Sequence, residues 1–168
     1  MLELCYYGDT VLRKAAAPVE NFDEGLAELI NEMIDTLRAE DGVGLAAPQV
    51  GKSLRLVVVD VSSGEGESEP HVLVNPEITC ASEEKIVEEE GCLSLPGITL
   101  MVSRSAKVSV KAKNGKGEEV TIENAEGLLA KALQHELDHI NGILFIDHVS
   151  SVQRAMLSGK LKKIAGKK

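Results

Sequence analysis

The chain holds 168 residues with a formal net charge of −9; 43% are hydrophobic, 27% charged and only 2% aromatic. This balance describes one globular domain with an aliphatic core, and it argues against nucleic-acid binding through stacked aromatics or through a phosphate-binding surface over the whole protein. Cysteines at 5, 80 and 92 make no disulfide framework, no apolar run is long enough to cross a membrane, and Met1–Cys5 lacks the basic and apolar regions of a signal peptide, so a cytoplasmic protein with no membrane partner is expected.

Residues 1–20 read as an irregular arm, with a turn at Gly8-Asp9-Thr10, Pro18 as its close, and Val11, Leu12 and Val19 docked on the core. Leu26, Leu29, Ile30, Met33, Ile34 and Leu37 recur at helical spacing, with Glu28, Glu32 and Arg38 outward. This predicts a helix of about 15 residues, capped by Asp23 or Asn21. Asp41-Gly42-Val43-Gly44 breaks the pattern. Leu54–Val61 is β-branched and apolar, which predicts a buried strand. Ser62–Pro70 reads as a mobile Gly/Ser/Glu loop, and Val72–Val74 as a short strand that ends at Asn75-Pro76.

Further strands are expected near Lys85–Glu89, Ile98–Val102, Lys107–Ala112 and Glu119–Ile122, with a hairpin turn at Asn114-Gly115 joining the last two. A helix follows over Ala125–Ile140, with Asn124 as its cap and Gly142 just past its end. A final helix spans roughly Ser151–Ile164. There is no internal repeat and no linker. The expected fold is α+β: mostly antiparallel sheets around one central helix, with an N-terminal and a C-terminal helix, in one domain over residues 1–168.

Gln134–His139 contains His-Glu-x-x-His. On a helix, His135 and His139 lie on one face and can reach one metal ion. Glu136 sits about 100° around the helix, beside a water at the metal rather than necessarily on the metal itself. Leu128 and Ala132 share the histidine face, so a metal pocket would be partly apolar. The pattern alone also allows two ordinary histidines on an ordinary helix.

Two histidines rarely hold a catalytic metal without a third protein ligand. The longer peptidase pattern His-Glu-x-x-His-x-x-Gly-x-x-His matches as far as Gly142 and then meets Phe145, which cannot ligate. A thermolysin-like peptidase needs an acid further downstream. Ser151–Lys168 contains none, which leaves Asp147 and His148. Upstream, Glu90-Gly91-Cys92-Leu93-Ser94 offers a thiolate, a good donor for zinc or ferrous iron, and Gly91 clears the approach. Cys5 and Cys80 read as small buried apolar residues, whereas Cys92 is preferred as the ligand.

Three stretches, Gly42-Val43-Gly44-Leu45-Ala46-Ala47-Pro48-Gln49, Glu90-Gly91-Cys92-Leu93-Ser94 and Gln134-His135-Glu136-Leu137-Asp138-His139, together resemble the signature of the bacterial peptide deformylases, in that family's order and at about its spacings. The resemblance extends through Val11-Leu12-Arg13, Asn75-Pro76, Pro96-Gly97, Arg104, Gly127-Leu128-Leu129-Ala130 and Gly142–Asp147. It implies a metallohydrolase that removes the formyl group from the N-terminal formyl-methionine of new proteins and releases formate. On this reading Cys92, His135 and His139 bind the metal, Glu136 moves the proton, and the Gln49 side-chain amide and Leu93 backbone N–H stabilise the developing oxyanion.

The same resemblance makes the glycine segment at 42–44 and Gly91 a rail on which an extended peptide can add as a strand. Val43, Leu128 and Ala132 would line the methionine pocket, with Lys131 at its rim. Glu90 and Arg104 are expected near the substrate as a pair, either at the site or solvated on the surface, and Asp138 as a supporting carboxylate or an exposed helix acid. The family implies Fe(II) as native ion, with Zn(II), Ni(II) or Co(II) able to replace it.

From Gln153 onward the chain carries Arg154, Lys160, Lys162, Lys163, Lys167 and Lys168 with no acid. This basic C-terminal helix, over about 151–168, is either a solvated helix end or a ribosome contact, as in some bacterial relatives. The expected partner is an N-formyl-methionyl peptide or nascent chain, met by a monomer. Two other readings stand beside the deformylase. A peptidase would need a ligand after His139. A non-catalytic metal-binding or ribosome-associated module would need a broken base or oxyanion donor, yet Glu136 and Gln49 are both present.

Overall fold

The computed structural model describes residues 1–62 and 69–167. A five-stranded antiparallel sheet runs in the order β1-β2-β3-β6-β7. Its strands are β1 (Gly44–Ala46), β2 (Leu56–Val59), β3 (His71–Ala81), β6 (Lys107–Lys113) and β7 (Glu119–Glu126). Two further strands, β4 (Lys85–Gly91) and β5 (Thr99–Ser105), pair only with each other, from Lys85↔Ser105 to Gly91↔Thr99. Helix α1 (Glu24–Ala39) and helix α2 (Gly127–Ile140) cover the two faces of the larger sheet. The α+β expectation holds.

The sheet's two faces explain why β2 reads as an unbroken apolar run. Side chains alternate across a strand. Val57 and Val59 join Ala130, Leu133, Leu137 and Ile140 of α2 in one core cluster. Leu56 and Val58 join Leu26, Ile30, Met33 and Leu37 of α1 in another. All four β2 residues are therefore buried, and a polar residue at any of them would lack solvent on either side. A third cluster, Leu12, Leu95, Ile98, Val102, Phe145, Ile146, Leu161 and Ile164, lies under β5 and the chain's end.

Helix α1 begins where Asp23 accepts a hydrogen bond from the Leu26 N–H, as the capping pattern predicts. The expected strand over Val72–Val74 does not stop at Asn75-Pro76. It continues to Ala81, with the pairing to β6 shifted between Val74 and Glu77 because proline brings no N–H to the ladder. Asn75 sits in the left-handed region (φ 51°), and its side chain clamps the arm by accepting from Val19 N–H and donating to Val19 O.

The β6–β7 connection is not a two-residue Asn-Gly turn. The Asn114 carboxamide oxygen accepts from the Lys116 and Glu118 N–H groups, and Gly117 takes the left-handed conformation at φ 84°. Asn124 does not cap α2. It lies within β7 at φ 50°, and the helix starts at Gly127, whose φ of 59° turns the chain from strand to helix. Of the expected Ser62–Pro70 loop, residues 63–68 lie outside the described residues.

The expected final helix is two short ones, α3 (Ser151–Met156) and α4 (Ser158–Ala165), with the break at Leu157 ahead of Ser158-Gly159, both weak helix formers. Only α4 is anchored, through buried Leu161 and Ile164.

Candidate metal centre

Three donors converge where α2 passes the end of β4. His135 and His139 come from one face of α2, and both are buried. Cys92 follows β4 in a tight turn closed by the Leu95 N–H donating to Cys92 O at 3.0 Å. One ligand atom from each of the three lies within 4.8 Å of the others, and Cys92 Sγ is 3.4 Å from His139 Nε2. A sulfur and a nitrogen in one tetrahedral zinc-type shell sit about 3.5 Å apart, so the spacing fits a shared ion. Among the described residues this is the one such cluster of three donors. The downstream candidates face elsewhere: Asp147 is paired with Arg13, and His148 with Asp138.

Behind the donors lies a row of charged side chains. His135 Nδ1 is 2.8 Å from Glu90 Oε1, which places the proton on Nδ1 and leaves Nε2 for the metal. Arg104 grips both Glu90 oxygens, Nε to Oε2 at 2.8 Å and Nη2 to Oε1 at 3.0 Å, and turns Nη1 to Asp138 Oδ2 at 2.6 Å. Burial raises Glu90, but hydrogen bonds from His135 and Arg104 outweigh it and bring its pKa down to about 2. For His135, burial favours the neutral ring, yet Cys92 and Glu90 raise its pKa to about 10. The negative field that favours a proton there also favours a metal cation. Burial, then repulsion from His135, holds His139 well below the usual histidine range.

Glu136 lies inside the same site. Its Oε2 is buried and has no hydrogen-bond partner among the described residues, which is unusual for a fixed structural carboxylate. Burial raises its pKa to about 7. A carboxyl group tuned near neutrality can take up a proton and return it. Gly44 makes room for it: a Cβ added there would lie 2.6 Å from Glu136 Oε1 and 2.7 Å from Cγ. The glycine at 44 is thus required by close approach.

Gln49 is 1% exposed, and its orientation is fixed. Its Oε1 accepts from the Ala46 N–H at 2.9 Å, which turns Nε2 toward Ser94 Oγ (3.2 Å) and Cys92 Sγ (3.6 Å). Ser94 has no role in the sequence reading. Its place two residues after Cys92 is the available signal, but only the fold shows that it is fully buried against Gln49.

A cavity of about 400 Å³ opens onto the centre. Val43, Gly44, Glu90, Gly91, Leu93, Leu128, Lys131 and Ala132 all line it, together with Gln49, Cys92, His135 and Glu136. Val43 and Leu128 are 41% and 42% exposed, large apolar side chains facing open space in the site. Arg104 departs from expectation. It does not line this cavity but is buried behind it, because Glu90 turns inward to His135 and takes the guanidinium with it. The Glu90–Arg104 pair is therefore internal, not a solvated surface pair, and Asp138 is its third member.

The chain is similar to known proteins in sequence and in fold. A family model described as polypeptide deformylase matches residues 1–155. A peptide deformylase of Thermodesulfovibrio yellowstonii is 49% identical over 162 residues, covering 96% of this chain and 97% of that one. Another, of Halothermothrix orenii, is 50% identical over 157 residues, covering 94% and 99%. The crystal structure of a peptide deformylase from Legionella pneumophila shares the fold with a TM-score of 0.90 at 47% identity, over 100% of this chain and 99% of that one. On matches that span the chain in both sequence and structure, this protein belongs to the peptide deformylase family.

Proposed function

We propose that Cys92, His135 and His139 hold one divalent ion in a hydrolase that removes the formyl group from the N-terminal formyl-methionine of new proteins, and that Glu136, Gln49 and Leu93 carry the chemistry. The strongest support is the convergence of three metal donors beside one buried carboxylate with an unpartnered oxygen. An ion held by Cys92, His135 and His139 would lower the pKa of a water and polarise the formyl oxygen. Glu136 takes a proton from the water as the water's oxygen bonds to the formyl carbon, and delivers that proton to the amine nitrogen as the carbon–nitrogen bond breaks and formate leaves. Gln49 Nε2 and the Leu93 N–H donate to the oxygen on which charge develops, and losing one such donor costs about 3 kcal/mol of transition-state stabilisation.

Val43, Leu128 and Ala132 receive the methionine side chain, and the backbone at Gly44 and Gly91 pairs with the extended peptide, beside Glu90. The exposed apolar surface of Val43 and Leu128 supports this pocket. Arg104, held behind Glu90, supports the site instead of touching the peptide. Fe(II) is the proposed native ion, replaceable by Zn(II), Ni(II) or Co(II), since one thiolate and two imidazoles suit all four. The deciding experiment is formate release from a short formyl-Met peptide by protein purified without oxygen and loaded in turn with Fe(II), Ni(II) and Zn(II). Release with at least one ion is the expected result. No release with any ion shown to be bound would leave a non-catalytic metal module as the account.

Residues 1–168 act on this reading as one catalytic domain and as a cytoplasmic monomer, with the basic C-terminal segment touching the ribosome. Arg154, Lys160, Lys162 and Lys163 on α3 and α4, with no acid among them, support that contact. Truncation after Leu157 would test it poorly, because it removes core residues Leu161 and Ile164. Replacing Lys160, Lys162 and Lys163 by glutamate keeps the core and is expected to weaken ribosome co-sedimentation while free-peptide turnover persists. Unchanged co-sedimentation would refute the contact.

A further inference from the structure

The row of charges behind His135 does not end at Asp138. His148 Nε2 lies 2.7 Å from Asp138 Oδ2, the same oxygen that takes Arg104 Nη1. The chain of contacts is therefore His135, Glu90, Arg104, Asp138, His148. His135 and Glu90 are 9% and 3% exposed, and from Glu90 outward side-chain exposure rises to 7% at Arg104, 20% at Asp138 and 34% at His148. The two ends belong to different parts of the fold. His135 sits on α2, and His148 closes a 3-10 turn, Phe145–His148, whose Phe145 and Ile146 are packed in the third core cluster.

We propose that His148 is a positioning residue for the metal ligand His135, acting through Asp138, Arg104 and Glu90. The inference rests on the assignment of Cys92, His135 and His139 as metal ligands. Arg104 is a flat group with donors on two sides. Glu90 takes one side in a two-pronged grip, and Asp138 takes the other. With both sides held, the guanidinium cannot tilt, so Glu90 cannot shift along His135 Nδ1. Asp138 needs its own restraint, because it is partly exposed and reaches from the helix edge. His148 supplies it. At 2.7 Å from a carboxylate, Nε2 must carry the proton, so His148 donates to Asp138. Arg104 Nη1 also lies 3.3 Å from this nitrogen. Since both are donors there, the carboxylate between them is what binds the two together.

The wider surroundings of Asp138 fit this reading. The Asn141 and Ile143 N–H groups donate to its backbone carbonyl, but its Oδ2 receives only Arg104 and His148 among the contacts described. The neighbouring pair Arg13–Asp147, at 2.6 Å, anchors the same 3-10 turn without touching the row. It is therefore a natural control for a merely structural effect.

The test uses the full chain loaded with Co(II), whose visible d–d bands report the ligand arrangement. The bands and the rate of Co(II) release to a chelator are read for the parent, His148→Ala, His148→Gln, Asp138→Asn and Asp147→Asn. Removing the direct outer partner of a metal ligand, here Glu90, typically weakens metal affinity about 10-fold to 100-fold, so Asp138→Asn, two links beyond it, is expected at about 3-fold to 10-fold and His148→Ala, one link further out, at about 2-fold to 5-fold. Both should shift the bands. His148→Gln keeps a side-chain N–H and should return toward the parent. Asp147→Asn should lower stability and leave bands and release rate alone. A folded His148→Ala protein with the parent's bands and release rate overturns the proposal, and so does a parent-like Asp138→Asn. If the parent itself takes up no Co(II), the ligand assignment falls and this inference falls with it.

Discussion

The two hairpins β4–β5 and β6–β7 are built from similar residues and come to opposite ends. Both set acids against bases across antiparallel strands. On β6–β7 the pairs Lys107–Glu126 and Lys111–Glu119 have side chains more than half exposed, while Val108, Val110 and Ala112 point inward to α2. Water screens such pairs, and they contribute little. On β4 the pattern inverts: the only buried residue of the strand is an acid, Glu90. Its partner Arg104 is equally hidden, at 2.8 Å. Burial, not the presence of opposite charges, separates a soluble surface from a buried pair that holds His135, a candidate metal donor, in place.

That contrast can be tested from its strongest consequence downward. Cys92→Ala should abolish both stoichiometric metal binding and turnover, read by metal analysis of the purified protein; a full complement of metal at the same affinity would remove Cys92 from the ligand set. Next, Gly44→Ala puts a Cβ on top of the Glu136 carboxylate. A displacement near 1 Å in a catalytic group can lower kcat about 100-fold, with metal content unchanged. Unaltered kcat would mean that Glu136 has room the structure does not show.

Glu90→Gln breaks the buried pair and leaves Arg104 short of charge compensation. A loss of about 3 kcal/mol in denaturant-derived stability is expected, with weaker metal retention. A change no larger than that of a β6–β7 pair would erase the distinction between the hairpins.

Asp147→Asn is a smaller case. Burial alone would raise Asp147, but Arg13 and the Leu144 N–H more than reverse it, so its folded pKa lies below its ordinary 3.8. A carboxyl lowered on folding adds stability above its unfolded pKa and loses it as pH falls through the folded one. The parent should therefore exceed the variant by up to about 1 kcal/mol near neutrality, discounted for the pair's exposure, and the gap should close below pH 3.8. A gap that widened on acidification would reverse the sign. Last, Lys111→Ala on β6 should move Tm by less than about 2 °C.

The contrast also shows what can be read from one dimension. The periodicity of α1 and α2 and the apolar run of β2 are legible because each element's burial follows from its own spacing. His135, Glu136 and His139 are legible because one helix brings them together. Cys92 lies in a separate stretch, and its place is legible only through the block of neighbours Glu90–Ser94. The position of Arg104 is not legible, because nothing local tells which way a cross-strand arginine turns; Glu90 decides that, from fourteen positions away. The passage of β3 through Asn75-Pro76 is hidden for a similar reason. Asn75 adopts a left-handed backbone because its side chain clamps Val19, a contact invisible in sequence. The break at Leu157 follows from a weak local signal, Ser158-Gly159, which a run of lysines masks.

The most direct test of the central claim, that Glu136 does chemistry in a site whose metal is held by others, pairs two readings on one sample. Glu136→Ala would be loaded with Ni(II), and both bound metal and formate released from a formyl-Met peptide would be measured. The account predicts one ion per chain, as in the parent, with formate release reduced to background. Parent-like formate release by the loaded variant would contradict it, and loss of the ion would make Glu136 part of the metal shell instead of its proton carrier.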